Sequence, residues 1–263
     1  DRPLHEQLFI YVKGIVTLDL GWSYRQNQSV ASLIWQRLPA TLLLTGTAFC
    51  IALLCGILMG ALAAARVGKW TDTLITALAL VFYATPLFWI ALMAILLFSV
   101  YLGWLPGFGM VTVGAGHSGL AYIGDIAAHL VLPAVTLGLF YMAVYARMTR
   151  ASMLEVMEMD YVKTAKAKGV APGRITRRHV LRNALLPVIT LAGIQAGQMI
   201  GGAVLTETVF AWPGIGRLMF DALLQRDYNL LLGIFFVSSA MVVLFNLITD
   251  LVYTFVDPRI EVS

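Results

Sequence analysis

An all-α, polytopic membrane fold is predicted by three observations on this 263-residue sequence. Hydrophobic residues make up 60% of it and charged ones 12%, with a mean hydropathy of +0.83, far from soluble averages. Its apolar residues gather into five runs long enough to cross a bilayer, and nine of its 18 lysines and arginines fall between residues 147 and 182. A spanning backbone must satisfy its own hydrogen bonds, and apolar runs of about 20 residues do so as helices.

In chain order, residues 1–39 mix Trp22, Tyr24 and Trp35 with charges and read as an external or interfacial segment. The remainder, 40–263, is the transmembrane domain. Its runs extend from Ala40 to Ala64, Leu74 to Leu102, Ala128 to Ala146, Val188 to Leu205 and Leu230 to Tyr253. Cys50 and Cys55, five apart inside the first run, have neither metal-ligand nor disulfide-framework spacing and read as small packing residues. Pro86 predicts a kink in the second run, because proline removes a backbone donor. The 103–127 connection, rich in glycine, reads as a flexible external loop.

Short basic loops stay in the cytoplasm. The 65–73 loop carries Arg66 and Lys69, the 103–127 loop carries no lysine or arginine, the 147–182 loop carries nine, the 206–229 loop carries Arg217 and Arg226, and the tail carries Arg259. The tail and the two basic loops are therefore expected inside and residues 1–39 outside. No signal peptide opens the sequence at Asp1. An external start then predicts one further helix upstream, five visible spans of six in the complete protein. The net charge of +4 reports this topology, and membrane lipid rather than nucleic acid is its partner.

Several chemistries are excluded. The middles of the five runs hold no Asp, Glu, Lys or Arg, the residues that bind coupling ions in ion-driven carriers. No phosphate-cradling G-x-x-x-x-G-K-[ST] loop occurs, so ATP hydrolysis, if it drives this protein, belongs to another chain. His5, His117, His129 and His179 have no metal-ligand spacing, and His129 reads as an interfacial residue at the start of a span. Neither a catalytic residue nor a metal or cofactor of the chain's own is predicted. A pore energised by a partner and a passive channel both remain.

The basic loop contains a built element. Glu155, Glu158 and Asp160 precede Lys163, Lys166 and Lys168, with Asp160 suited to an N-cap and Gly169 to the C′ position of a helix from Tyr161 to Lys168. Tyr161, Ala165 and Gly169 share one side as a small apolar strip, a surface that fits a partner's groove. Beyond it Arg174, Arg178 and Arg182 share a face with Arg177 nearby, read as attraction to anionic headgroups.

These residues carry a resemblance. The run from Asp160 through Tyr161, Thr164, Ala165 and Lys166 to Gly169, followed by Leu181-Arg182-Asn183-Ala184-Leu185-Leu186-Pro187, is similar to the cytoplasmic signature of permease subunits of binding-protein-dependent ABC importers, in the dipeptide/oligopeptide/nickel branch. Glu207-Thr208-Val209-Phe210-Ala211-Trp212-Pro213-Gly214-Ile215-Gly216-Arg217, Arg226-Asp227-Tyr228 and Asp257-Pro258-Arg259 agree. The sequence departs in having Lys163-Thr164-Ala165 where the general signature begins Glu-Ala-Ala, and Asn229 where proline is expected after Asp227-Tyr228.

The resemblance implies a type I importer permease of the bacterial cytoplasmic (inner) membrane. It would pair with a second, similar permease, two cytoplasmic ATPases holding ATP and Mg, and an external substrate-binding protein. Its cargo would be short peptides or, alternatively, a nickel chelate. Asp160, Tyr161, Thr164, Ala165, Lys166 and Gly169 would form the coupling helix that docks on the ATPase. Gly193, Gly197 and Gly201 form a strip for close helix packing, read as the contact with the partner permease. Gln195 and Gln198 beside it serve either a translocation path or interhelical bonding. Glu207, at the external mouth, either meets cargo or pairs with Arg217.

Overall fold

A computed structural model describes residues 19–256 and, before them, Pro3, His5, Glu6, Lys13, Gly14 and Thr17. Side chains at 200–202, 250 and 252–256 lie outside the description, as does the terminal Asp257-Pro258-Arg259.

The regular structure of the described chain is helical apart from one small hairpin, β1 (Trp22–Ser23) paired antiparallel with β2 (Gln28–Ser29). Helix α1 (Val30–Ala65) follows at once, its N-cap Ser29 accepting from Ser32 N–H. It begins ten residues before the expected run, and Pro39 lies inside it. Then come α2 (Trp70–Ala84), and α3 (Leu87–Ala94) continued by a π-helical stretch over Ile95–Tyr101. Helix α4 (Leu120–Met157) is 38 residues long. The basic loop holds α5 (Asp160–Ala167), a single turn α6 (Pro172–Arg174) and a second π-helical stretch over Ile175–Leu181. The chain closes with α7 (Arg182–Val209), α8 (Ile215–Gln225) and α9 (Tyr228–Val256).

Among the described residues four helices are long and apolar enough to span a membrane, and α2 with α3 makes a fifth only as a pair bent by 104°. The expected kink at Pro86 is thus a break. Thr85 and Pro86 take extended conformations, as the residue before a proline is forced to, and Pro86 becomes the N-cap of α3.

Lipid tails offer no hydrophobic gain on helix contact, so close approach of small residues holds such bundles together. The central pair is α1 with α4. A Cβ on Gly56 would lie 2.6 Å from Tyr145 Cβ, and one on Gly60 2.6 Å from Thr149 Cβ. Ala48, Ala52, Ala134, Leu137 and Tyr145 complete this core. The glycines of α7 act likewise, within the chain: a Cβ on Gly193 would collide with Thr249 of α9, and one on Gly197 would meet Val242 O at 3.3 Å. This corrects the assignment of the strip to a partner permease. The surroundings of Gly201 fall outside the described residues. Cys50 and Cys55 are exposed on the outer surface of α1 rather than packed.

Candidate functional site

Two constructions stand at opposite ends of the bundle. At the basic end, α4 runs on past its apolar stretch and α5 turns back beneath the helix ends. Met159 and not Asp160 is the N-cap; Asp160 occupies the first turn, solvent-exposed and paired with Lys163 at 2.9 Å. With no capping hydroxyl available at Met159, that acid still complements the helix dipole. The far end is a full Schellman closure: Gly169 at φ +74 donates to Lys166 O at 3.0 Å, and Val170 N–H to Ala165 O at 3.2 Å.

The face of α5 turned inward is Val162 with Ala165. They pack with Ala64 of α1, Met153 of α4, and Ile175, Val180 and Ala184 from the start of the next span. Ala165 is therefore part of the seat, and the strip Tyr161–Ala165–Gly169 is divided between inside and outside. Exposed are Asp160, Tyr161, Lys163, Thr164, Lys166, Lys168 and Gly169. Tyr161 is held by Asn183, whose Nδ2 donates to its hydroxyl at 3.0 Å and to His179 O at 2.8 Å. The π-helical stretch brings Ile175 and Val180, five apart, to the same buried cluster, a spacing an α-helical repeat does not provide. Arg174, Arg177, Arg178 and Arg182 are all exposed and, among the described residues, unpaired with any carboxylate.

Beside this seat, Asp72 at the start of α2 is buried and receives Arg150 of α4 through two bonds, 2.6 and 2.8 Å. Gly68 N–H adds a third at 3.2 Å.

At the other end Glu207 is completely buried. It lies inside α7, not at an open mouth, and accepts from the Thr41 hydroxyl of α1 at 2.6 Å and Arg217 N–H at 3.1 Å. Its carboxylate thus caps the N-terminus of α8, where backbone donors and dipole favour an anion. Thr41 completes the link by accepting from Ile215 N–H at 2.8 Å. The Arg217 guanidinium goes to Ala211 O, so the expected ion pair with Glu207 does not form, and burial removes Glu207 from any translocation path. Gly214 has no room for a side chain, since a Cβ would strike the Glu207 carboxylate. Trp212, also buried, donates to Ala40 O at 2.8 Å.

The Arg226-Asp227-Tyr228 run has an equally local meaning. Arg226 closes α8 at φ +55, and Asp227 accepts from Leu230 N–H at 3.2 Å as the cap of α9 and from Ser23 of the hairpin. Asn229, standing where a proline is expected, uses its amide to reach Trp22 O at 3.1 Å. The 103–127 connection is tied down by Gly109 N–H to Phe210 O at 2.8 Å and by Thr112 to Asp125. His129 is buried one turn from Asp125, whose carbonyl lies 2.8 Å from its Nδ1; it is an internal residue of α4 rather than an interfacial one.

Gln195 is half-buried and Gln198 exposed, on the face of α7 opposite the glycines. Among the described residues no cluster of His, Cys, Asp and Glu could hold a metal.

The architecture defines a multi-pass α-helical membrane protein with a short basic helix seated between two of its spans. Residues 56–262 match the model of the binding-protein-dependent transport system inner membrane component family, and the chain belongs to that family. It is 41% identical to the dipeptide transport system permease protein DppB of Alkalihalophilus pseudofirmus, covering 99% of this chain and 83% of the relative. It is 39% identical to the di/tripeptide transport system permease protein DppB of Pseudomonas aeruginosa, over 99% and 82%. Among solved structures, an inward-facing form of the MetNI methionine ABC transporter superposes with a TM-score of 0.66 over 86% of this chain and 97% of that one. At 18% identity this likeness concerns the fold, an ABC importer permease fold.

Proposed function

We propose that this chain is the pore-forming permease subunit of an ATP-driven importer that carries short peptides across the bacterial cytoplasmic membrane. It works with a second, similar permease, two ATPase subunits that bind ATP and Mg on the cytoplasmic side, and an external substrate-binding protein. The basic end is the cytoplasmic end. Cargo class is taken from the dipeptide and di/tripeptide relatives.

The observation that carries the coupling part is the seating of α5. Val162 and Ala165 join it to the ends of α1, α4 and the segment entering α7, so that a push on α5 moves three helices together. Close-packed contacts transmit displacement rather than absorb it. Tyr161, Thr164, Lys166 and Lys168 stay outside to meet the ATPase. Coupling is mechanical: closure of the ATPases displaces α5, and the spans fixed to it change the opening of the pore.

The test is peptide uptake and ATPase copurification by the assembled importer carrying Thr164→Glu with Lys168→Glu. These exposed changes are expected to cut ATPase association and uptake while leaving the two permeases paired. Unchanged association and uptake would refute the docking role.

A further inference from the structure

Between α2, α4 and α7 on the basic half of the bundle lies a hollow of about 530 Å³, lined by Thr76, Tyr83, Arg147, Arg150 and Leu191 among others. Arg147 lies about 15 Å before the end of α4 and is exposed, where the third apolar run gives way to the basic loop. Its guanidinium carbon sits 5.5 Å from the centre of the Tyr83 ring. That ring is stacked on Phe140 at 5.5 Å, and Phe140 meets Tyr141 edge-on. A guanidinium held beside a ring by cation–π attraction keeps N–H donors available, and those donors can bind a carboxylate in a fork.

Arg150, the other cation here, is occupied by Asp72, whereas Arg147 has no carboxylate partner among the described residues. Its N–H donors are thus free to take a carboxylate from outside the chain. Leu191, which lines the hollow, also begins a polar face of α7. Leu191, Gln195 and Gln198 share one side of α7, spaced i, i+4, i+7, while Gly193 and Gly197 on the opposite side are closed against α9. The buried Oε1 of Gln195 finds no donor among the described residues. A helix face presented to lipid would not carry two glutamines leading to an arginine.

We propose that Arg147, held on Tyr83, is a carboxylate subsite on the inner half of the translocation path, receiving the C-terminal carboxylate of the peptide after it passes Gln198 and Gln195. This rests on the peptide-importer reading above. The two fail separately: a wild-type importer that takes up no peptide overturns that reading, and a working importer indifferent to Arg147 overturns the subsite.

The experiment uses the complete importer in phosphatidylcholine vesicles, with binding of alanyl-alanine and of its C-terminal amide measured in the nucleotide-free state and ATP-driven alanyl-alanine uptake measured alongside. Wild type is expected to bind the free acid about tenfold more tightly than the amide, as one charge-assisted bond requires. Arg147→Gln removes that preference and slows uptake, and Arg147→Lys retains part of both. Tyr83→Leu, which leaves the cation and removes its ring support, weakens the preference and provides the reading if Arg147→Gln does not assemble. An undiminished acid-over-amide preference in Arg147→Gln and Tyr83→Leu overturns the proposal. So does a defect that appears only when phosphatidylglycerol is added, which assigns the guanidinium to lipid phosphate.

Discussion

The guanidinium of Arg150 holds the carboxylate of Asp72 in a fork, Nε to Oδ1 at 2.6 Å and Nη2 to Oδ2 at 2.8 Å, so that the start of α2 is tied to the basic end of α4. Replacing Asp72 with Ala leaves Arg150 and Gly68 N–H without their acceptor. The purified protein in detergent is expected to unfold at lower temperature. The exchange Asp72→Arg with Arg150→Asp recovers part of the loss, because the fork is re-formed with its ends reversed. A thermal-shift series on the single and double variants measures this.

Glu207 offers a second, internal test. Its carboxylate satisfies Thr41 and the first turn of α8 inside the protein. Glu207→Ala leaves at least two buried donors unmet, a loss of about 2–4 kcal/mol. Glu207→Gln, which keeps an acceptor, costs less. Gly214→Ala should mimic the defect, since its Cβ occupies the space of that carboxylate. Denaturation in mixed micelles ranks the three variants.

The glycines of α7 predict an order of tolerance. Gly193→Ala drives a methyl into Thr249 and separates α7 from α9, whereas Gly197→Ala meets its nearest atom at 3.3 Å and is accommodated by a small shift. Thr249→Ala added to Gly193→Ala recovers some stability by removing the colliding Cγ2. The comparison needs only the unfolding midpoints of these variants.

At α5 the sensitive backbone position is Gly169, at φ +74 with open space around its Cα. Gly169→Ala therefore costs about 1 kcal/mol of conformational strain and no collision. It should loosen the end of the helix and lower peptide uptake severalfold without abolishing assembly. Asn183→Ala, which frees Tyr161, should do the same more weakly.

Much of this architecture was legible in the amino-acid pattern, because a bilayer imposes length and composition on anything that spans it. The five runs, the proline break and the small helix ending at Gly169 follow from such local rules. What escaped depends on partners distant in sequence. Glu207 reads as a polar residue near a helix end until Thr41 arrives from another helix and α8 folds onto it. Arg147 and Arg150 enter a charge count as topology markers, and only the length of α4 places one on Asp72 and the other on Tyr83. Gly56 and Gly60, four apart in the first run, are the sequence signal for the central α1–α4 contact. Ala165 reads as surface on an α-helical repeat, because the π-helical turn that builds its seat follows no such spacing.

The most direct test of the account is a cysteine scan of α5 in the assembled importer, with crosslinking to the ATPase read by mass. Thr164→Cys and Lys168→Cys, on the exposed side, should form a crosslinked pair with the ATPase, and Val162→Cys, facing the seat, should not. Absence of any crosslink from positions 164 and 168 in a complex that still transports peptide would contradict the claim that α5 is where ATP hydrolysis is coupled to the pore.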